Sequence, residues 1–147
     1  MRESGILMHI TSLPGPYGIG CMGKEAFRFV DFLKAAGQHY WQILPLTPTG
    51  YGDSPYQSNS TYAGNPYLID LEQLVEQGLL KAEELQDIPW SQQDTRVDFG
   101  AQYNHRLAVL RKAYSRFTQQ DKLELFCREN SHWLADFSLY MALKTRL

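Results

Sequence analysis

Apolar positions fall into two patterns along this chain: short unbroken runs before residue 50, and helical stripes after residue 100. Gly5-Ile-Leu-Met-His-Ile10 is a compact apolar run that meets Ser12-Leu-Pro-Gly-Pro16, which predicts a buried strand entering a turn. Over Met22–Ala36, Ala26, Phe27, Phe29, Val30, Leu33 and Ala36 form a broad stripe at helical spacing, with Gly37 as the stop. Tyr40-Trp-Gln-Ile-Leu-Pro-Leu46 predicts a second buried strand. A strand, a helix and a strand joined by short connections form a βαβ unit, whose strands run parallel with a right-handed crossover.

Further helices are predicted over Leu71–Leu80, ending at Gly78, over Ala101–Phe117, over Asp121–Arg128 and over Ser131–Leu147. In the second of these, Tyr103, Leu107, Leu110, Tyr114 and Phe117 share one side, and in the last Leu134, Phe137 and Met141 do. Lys81–Gly100, with Pro89-Trp90 and Gln92-Gln-Asp94, reads as an irregular connection. Only two strands are evident, with Tyr67-Leu-Ile69 as a possible third. Two parallel strands cannot cover both faces and both edges of a sheet. Together with a helical pattern still running at Lys144-Thr-Arg-Leu147, this predicts part of a larger domain.

Residues 47–67 break every periodicity. Tyr51, Tyr56, Tyr62 and Tyr67 stand among hydroxyls, amides, Gly and Pro, with almost no charge. Such a stretch is neither a regular helix nor a central strand, and it is too aromatic for an idle linker. Flat amphipathic rings beside neutral hydrogen-bonding groups suit a ligand with apolar faces and a polar rim, as a sugar has. The loop also leaves the C-terminal end of the second strand, where α/β folds bind ligands.

Composition narrows the alternatives. At 147 residues, 44% hydrophobic and 20% charged, the chain is in the globular range for one domain. A net charge of −2 argues against a nucleic-acid partner, and Arg111-Lys112 reads as a solvated helix face. There is no 18-residue apolar run and no signal-peptide pattern, so no membrane partner and a cytoplasmic location are expected. Cys21 and Cys127 have no metal-ligand spacing and read as reduced thiols, with no metal site implied. Gly15, Gly18 and Gly20 are not spaced as a nucleotide fingerprint. His9 reads as a satisfied core histidine, and Trp41 and Trp133 as core.

Four segments carry a more specific signal: Thr11-Ser-Leu-Pro-Gly-Pro-Tyr-Gly-Ile-Gly20, Tyr40-Trp-Gln-Ile-Leu-Pro-Leu46, Gly50-Tyr-Gly-Asp-Ser-Pro-Tyr-Gln-Ser58 and Ala63-Gly-Asn-Pro-Tyr-Leu-Ile-Asp70. In this order they closely resemble the N-terminal region of amylomaltases, the 4-α-glucanotransferases of glycoside hydrolase family 77. The resemblance is dense over about residues 5–80 and looser beyond, where Trp133-Leu-Ala-Asp-Phe-Ser-Leu-Tyr-Met-Ala-Leu143 is similar to a family helix. It implies an α/β fold: the N-terminal part of a TIM (β/α)8 barrel, incomplete in this chain, with a helical insertion. Residues 1–80 would supply the first two βα units with the substrate loop 47–70, and residues 81–147 the mainly helical insertion.

The implied reaction transfers an α-1,4-glucan segment between maltooligosaccharides with retention, needing two carboxyl groups and no cofactor. The family's catalytic carboxylates lie on later strands, so no catalytic residue is expected within these residues. Asp53 and Asp70 read as a turn cap and a helix N-cap, and Glu25, Asp31, Glu72 and Glu76 as exposed helix charges. By resemblance Ser54 hydrogen-bonds a glucose hydroxyl and Tyr56 stacks or hydrogen-bonds beside the cleavage point. Tyr51 matches an additional glucan contact, and Asn65 orders the loop or reaches a sugar. The alternatives are a non-catalytic maltooligosaccharide-binding fragment or inactive remnant, and a complementary chain or oligomer that completes the site.

Overall fold

The structure is a computed structural model and describes residues 2–91 and 95–144. Strand β1 (Gly5–Leu7), helix α1 (Lys24–Ala35) and strand β2 (Tyr40–Gln42) form the predicted βαβ unit, with β1 and β2 parallel in the register Gly5 to Tyr40, Ile6 to Trp41 and Leu7 to Gln42. Helices α2 (Leu71–Glu76), α3 (Glu83–Gln86), α4 (Phe99–Ser115), α5 (Gln120–Glu129) and α6 (Leu134–Lys144) follow. No helix among the described residues is long and apolar enough to cross a membrane.

The helix stops are those the glycines predict. Past α1, Gly37 takes φ +66°, its N–H donates to Lys34 O (3.1 Å), and Gln38 N–H donates to Leu33 O (2.9 Å). Gly78 repeats the arrangement past α2, with N–H bonds to Val75 O from Gly78 and to Leu74 O from Leu79, both 2.9 Å. These paired bonds satisfy carbonyls that a helix end otherwise leaves bare. At the other ends, Asp70 Oδ1 accepts from Glu72 N–H (3.0 Å) and Asp98 Oδ1 from Ala101 N–H (2.9 Å).

Several expectations are corrected. Both strands are shorter than their apolar runs. The first ends at Leu7, and Ile10–Ser12 is a 3-10 turn; the second ends at Gln42. Nor are they buried: Ile6 and Leu7 are 40% and 60% exposed, because among the described residues no further strand flanks the pair. Tyr67-Leu-Ile69 is no strand; Pro66–Leu68 is a 3-10 turn capped by Asn65. The connection over Lys81–Gly100 contains α3 and the start of α4, while its residues 92–94, like the chain's last residues 145–147, lie outside the described residues.

Two apolar clusters hold the fold. One gathers Leu71, Leu80, Leu85, Trp90, Val109 and Ala113, with Tyr17 against Trp90 edge to face at 5.6 Å. The other joins Ile10, Leu13 and Leu68 to Ala26, Phe29, Trp41 and Leu46. It therefore packs α1 on β2 and pins both stems of the tyrosine loop; each buried aliphatic side chain contributes about 1.5–3 kcal/mol. The α1 stripe splits accordingly. Ala26, Phe29 and Leu33 face inward, while Phe27 and Val30 are exposed.

Helix α4 is turned one residue from its predicted face. Tyr103 and Tyr114 are exposed, and the buried line is Gln102, Arg106, Val109 and Ala113. Polar Gln102 and Arg106 face inward because loop carbonyls wait there. Gln102 Nε2 donates to Tyr17 O (2.7 Å), Arg106 Nη1 to Gln102 Oε1 (3.1 Å) and Arg106 Nη2 to Ile69 O.

At the far end of α4, Arg116 clasps Glu84 through Nη2–Oε1 (2.6 Å) and Nη1–Oε2 (2.7 Å), and Lys81 N–H adds a bond of 3.0 Å to Oε2. These contacts, Arg116 first, hold the Glu84 carboxyl well below the usual carboxylate range. A depressed folded-state pKa stabilises above the unfolded value and is lost as pH falls through the folded one. Acid titration of unfolding should therefore show Glu84→Gln with a flatter decline than the parent below about pH 4.5, the ordinary glutamate value. Superimposable curves would mean the clasp contributes nothing.

Candidate functional site

The tyrosine loop is an ordered structure. Thr49 and Ser58 form an antiparallel bridge, and Gly50 N–H donates to Gln57 O (3.1 Å). Between them the chain reverses through Gly52 at φ +94° and Asp53 at φ +56°; Asp53 N–H donates to Gly50 O (3.2 Å). Asp53 is the one non-glycine residue described there in the left-handed region, where Asp is tolerated better than most side chains. Partial burial raises its pKa. Asp53 thus lies within the turn, where it was expected, and the bond it makes there comes from its backbone N–H.

Ser54 and Tyr56 follow at the tip. Ser54 is half-buried and its Oγ accepts weakly from Tyr56 N–H (3.4 Å); Gln57 N–H donates to Ser54 O (3.1 Å). Tyr56 is 72% exposed and Tyr51 wholly so. Both rings thus stand in solvent with their faces free for a ligand, not packed under the loop. Asn65 differs: it is buried, its Oδ1 accepts from Tyr67 N–H (3.0 Å), and its N–H donates to Leu46 O (2.8 Å). That pair of bonds ties the end of the loop to its beginning.

The base of the loop rests on a buried polar node. Asp70, which caps α2, has its Oδ2 without a hydrogen-bond partner among the described residues, close over Gly23, where a Cβ would fall 2.0 Å from it. Burial, and then the charge of Asp70, push the Cys21 thiol up to about 11. Cys21 is therefore a protonated, unreactive thiol at neutral pH. Cys21 and exposed Cys127 are both free. Arg106 lies beneath, 1% exposed, its pKa lowered to about 10 by burial.

Other candidates resolve less favourably. His9 was expected to be satisfied, yet its Nδ1 is buried without a partner among the described residues, and burial lowers its pKa. Trp41 is half-buried, meets Phe29 edge to face at 4.9 Å and donates Nε1–H to Met8 O (2.7 Å), in keeping with a core role. Trp133 does not join either main cluster; it lies beside Tyr62 and Phe137. Among the described residues no group of three His, Cys, Asp or Glu could hold a metal ion. Glu25 pairs with Arg28, and Glu72 and Glu76 approach Lys24, as surface charges do.

Sequence reasoning missed the node of Gln102 and Arg106 and the meeting of Tyr62 with Trp133. The first carried no signal, since Gln and Arg normally mark a solvent face. The second has one in the two aromatic residues themselves, but nothing local joins residues so far apart.

Comparison with known proteins places this geometry. A model of the glycoside hydrolase 77 family, 4-alpha-glucanotransferase, matches residues 8–147. A 4-alpha-glucanotransferase of Streptococcus pneumoniae serotype 4 is 51% identical over 146 residues, covering 97% of this chain and 29% of the relative. That of Thermus thermophilus is 49% identical over 149 residues, again 97% and 29%. Among solved structures, an amylomaltase from Streptococcus agalactiae in complex with acarbose superposes with a TM-score of 0.93 at 45% identity, covering 99% of this chain and 30% of that one. The chain thus spans under a third of the length of these relatives.

Proposed function

The chain belongs to the 4-alpha-glucanotransferase family, glycoside hydrolase family 77, and from that premise we propose that it forms the first two βα units and the sugar-facing loop of a retaining glucanotransferase barrel. The substrates are α-1,4-glucans and maltooligosaccharides. Ser54 hydrogen-bonds a glucose hydroxyl, Tyr56 stacks against a ring beside the cleavage point, and Tyr51 adds a more distant contact. Asn65 acts by holding the loop closed. Residues 81–147 form the helical insertion.

One observation carries this reading: a parallel βαβ unit whose second strand opens at its C-terminal end into a tyrosine loop with two exposed rings. In α/β barrels ligands sit at that end of the strands. The neighbour's acarbose complex agrees with the substrate class. Bond exchange with retention needs a carboxylate nucleophile and a carboxylic acid about 5–5.5 Å apart. In this reading both come from polypeptide outside the 147 residues. The part of this chain is to bind and orient the glucan, and transfer over hydrolysis follows where the acceptor outcompetes water.

Calorimetric titration with maltotriose is expected to show binding that weakens about five- to tenfold in Tyr56→Ala, the range that loss of one aromatic contact gives. Binding unchanged by that substitution would remove Tyr56 from the site. Incubated alone with maltotriose, the chain should leave the oligosaccharide length distribution as it was. Glucose together with longer oligomers would instead locate a working carboxylate pair within these residues.

A further inference from the structure

The ring of His9 is aimed by the strand that carries it. Past β1 the chain stays extended: Met8 N–H donates to Gln42 O (3.0 Å), and His9 has φ −74° and ψ 148°. Side chains along extended backbone alternate between two faces. Met8 and Ile10 share one apolar cluster with Ala26 and Phe29 of α1. Leu7 and His9 therefore take the opposite face, away from the helix. In a βα barrel the helices lie outside, so this face is the interior. His9 is then the last inward position of β1, at its C-terminal end, before the 3-10 turn begins at Ile10. Leu46 and Leu68, which anchor the stems of the tyrosine loop, belong to the same cluster as Met8 and Ile10. Ring and loop thus rise from one end of the strand pair.

The two ring nitrogens have different surroundings. His9 is half-buried, and its Nδ1 is buried with no hydrogen-bond partner among the described residues. These residues alone bury Nδ1, whatever polypeptide closes the rest of a barrel. Burial also disfavours the charged ring and lowers its pKa, so the imidazole is neutral at pH 7 and has a single N–H. On Nδ1 that proton would be a buried donor without an acceptor, an arrangement folded proteins rarely keep. The proton therefore sits on Nε2. Nε2 makes no hydrogen bond among the described residues and is not a buried atom, so its N–H can meet a ligand.

We propose that His9 is a further glucan-binding residue, donating Nε2–H to a glucose hydroxyl beside the cleavage point. The proposal rests on the reading of the chain as the opening units of a glucanotransferase barrel. It adds a directed donor to the contacts of Ser54 and Tyr56. A neutral N–H suits a neutral sugar oxygen and leaves charge at the reacting carbon to the carboxylates. Because the ring is seated at a strand end and half-buried, it loses little freedom when a ligand binds.

Imidazole 15N–1H spectra of the chain test this, because its four histidines are few enough to assign by substitution. At neutral pH His9 is expected as a neutral ring with its proton on Nε2; a charged ring or an Nδ1–H tautomer overturns the proposal. Titration with maltotriose should move the His9 Nε2 signal saturably, with the dissociation constant that calorimetry gives. His9→Leu should weaken binding about three- to tenfold, the change that one neutral hydrogen bond gives. His9→Gln offers an amide N–H in place of the imidazole and should restore most of the affinity. Equal loss in both variants would assign the effect to packing and overturn the donor role. The spectra are read on the unaltered chain, so they decide the matter even if His9→Leu fails to fold. A His9 signal that stays still while calorimetry records Tyr56-dependent binding overturns the proposal and leaves the tyrosine site standing. No binding by either readout removes that site and this residue with it.

Discussion

Arg106→Leu is expected to destabilise the chain by about 3 kcal/mol, the larger of two strong effects on its stability. The side chain is 1% exposed and bridges α4 to the stretch before α2 by donating to Ile69 O, while its other amino group supports Gln102 Oε1 at 3.1 Å. Leucine would leave the buried Gln102 amide oxygen and the part-buried Ile69 carbonyl without these donors, at about 1–3 kcal/mol for a buried group and less for one that water reaches. Against this stands a real gain. A buried charge is costly, and replacing whole buried ion pairs by apolar residues is often neutral. Here the acceptors stay behind when the donor leaves, so the loss wins. Arg106→Lys keeps the charge but not the fork of donors, and should fall between. Urea denaturation measures all three. A leucine variant within about 0.5 kcal/mol of the parent would show that the bonds contribute nothing net.

Gly20→Ala should cost on the order of 2–3 kcal/mol and loosen the tyrosine loop. A Cβ at Gly20 would stand 2.1 Å from Ile10 O and 2.7 Å from Leu13 O. Both are backbone atoms, of the 3-10 turn after β1 and of the residue that caps it, so no side-chain rotation relieves the collision. That turn must shift, straining the bond from Gly20 N–H to Thr11 O (3.0 Å) and unseating Ile10 and Leu13 from the cluster that holds Leu68 and Leu46. Since Leu46 and Leu68 anchor the two stems of the tyrosine loop, weaker maltotriose binding should accompany the lower stability. Gly64→Ala is the control. Nothing lies within 4 Å of its Cβ, so a change within about 0.5 kcal/mol is expected. Equal behaviour of the two variants would refute the steric account.

Much of the site was legible in the residues. The tyrosine loop is accounted for by its own composition, and its place after β2 by the order of apolar runs. Asp70 and Asp53 take the cap and turn positions that their neighbours predict. The glycine motif Gly15, Gly18 and Gly20 is structural: Gly18 has φ +69°, and a Cβ at Gly15 would press on Ile19 O at 2.5 Å. What failed was the assumption that apolar means inward. Tyr103 and Tyr114 share a stripe yet face solvent, and Ile6 and Leu7 lie in an apolar run yet are exposed.

Sequence alone determined the features that near neighbours control: the βαβ order, the glycine stops after α1 and α2, the aspartate caps and the irregular aromatic loop. Each depends on backbone groups only a few residues away, so the pattern of residue types contains the answer. Tertiary structure decided which face of α4 is buried, how short β1 and β2 are, and that Tyr62 meets Trp133. Those outcomes depend on carbonyls and rings brought together from distant parts of the chain. The part-buried carbonyl of Ile69 takes its donor from wherever the fold supplies one, and no local periodicity records that Arg106 will be the one to answer.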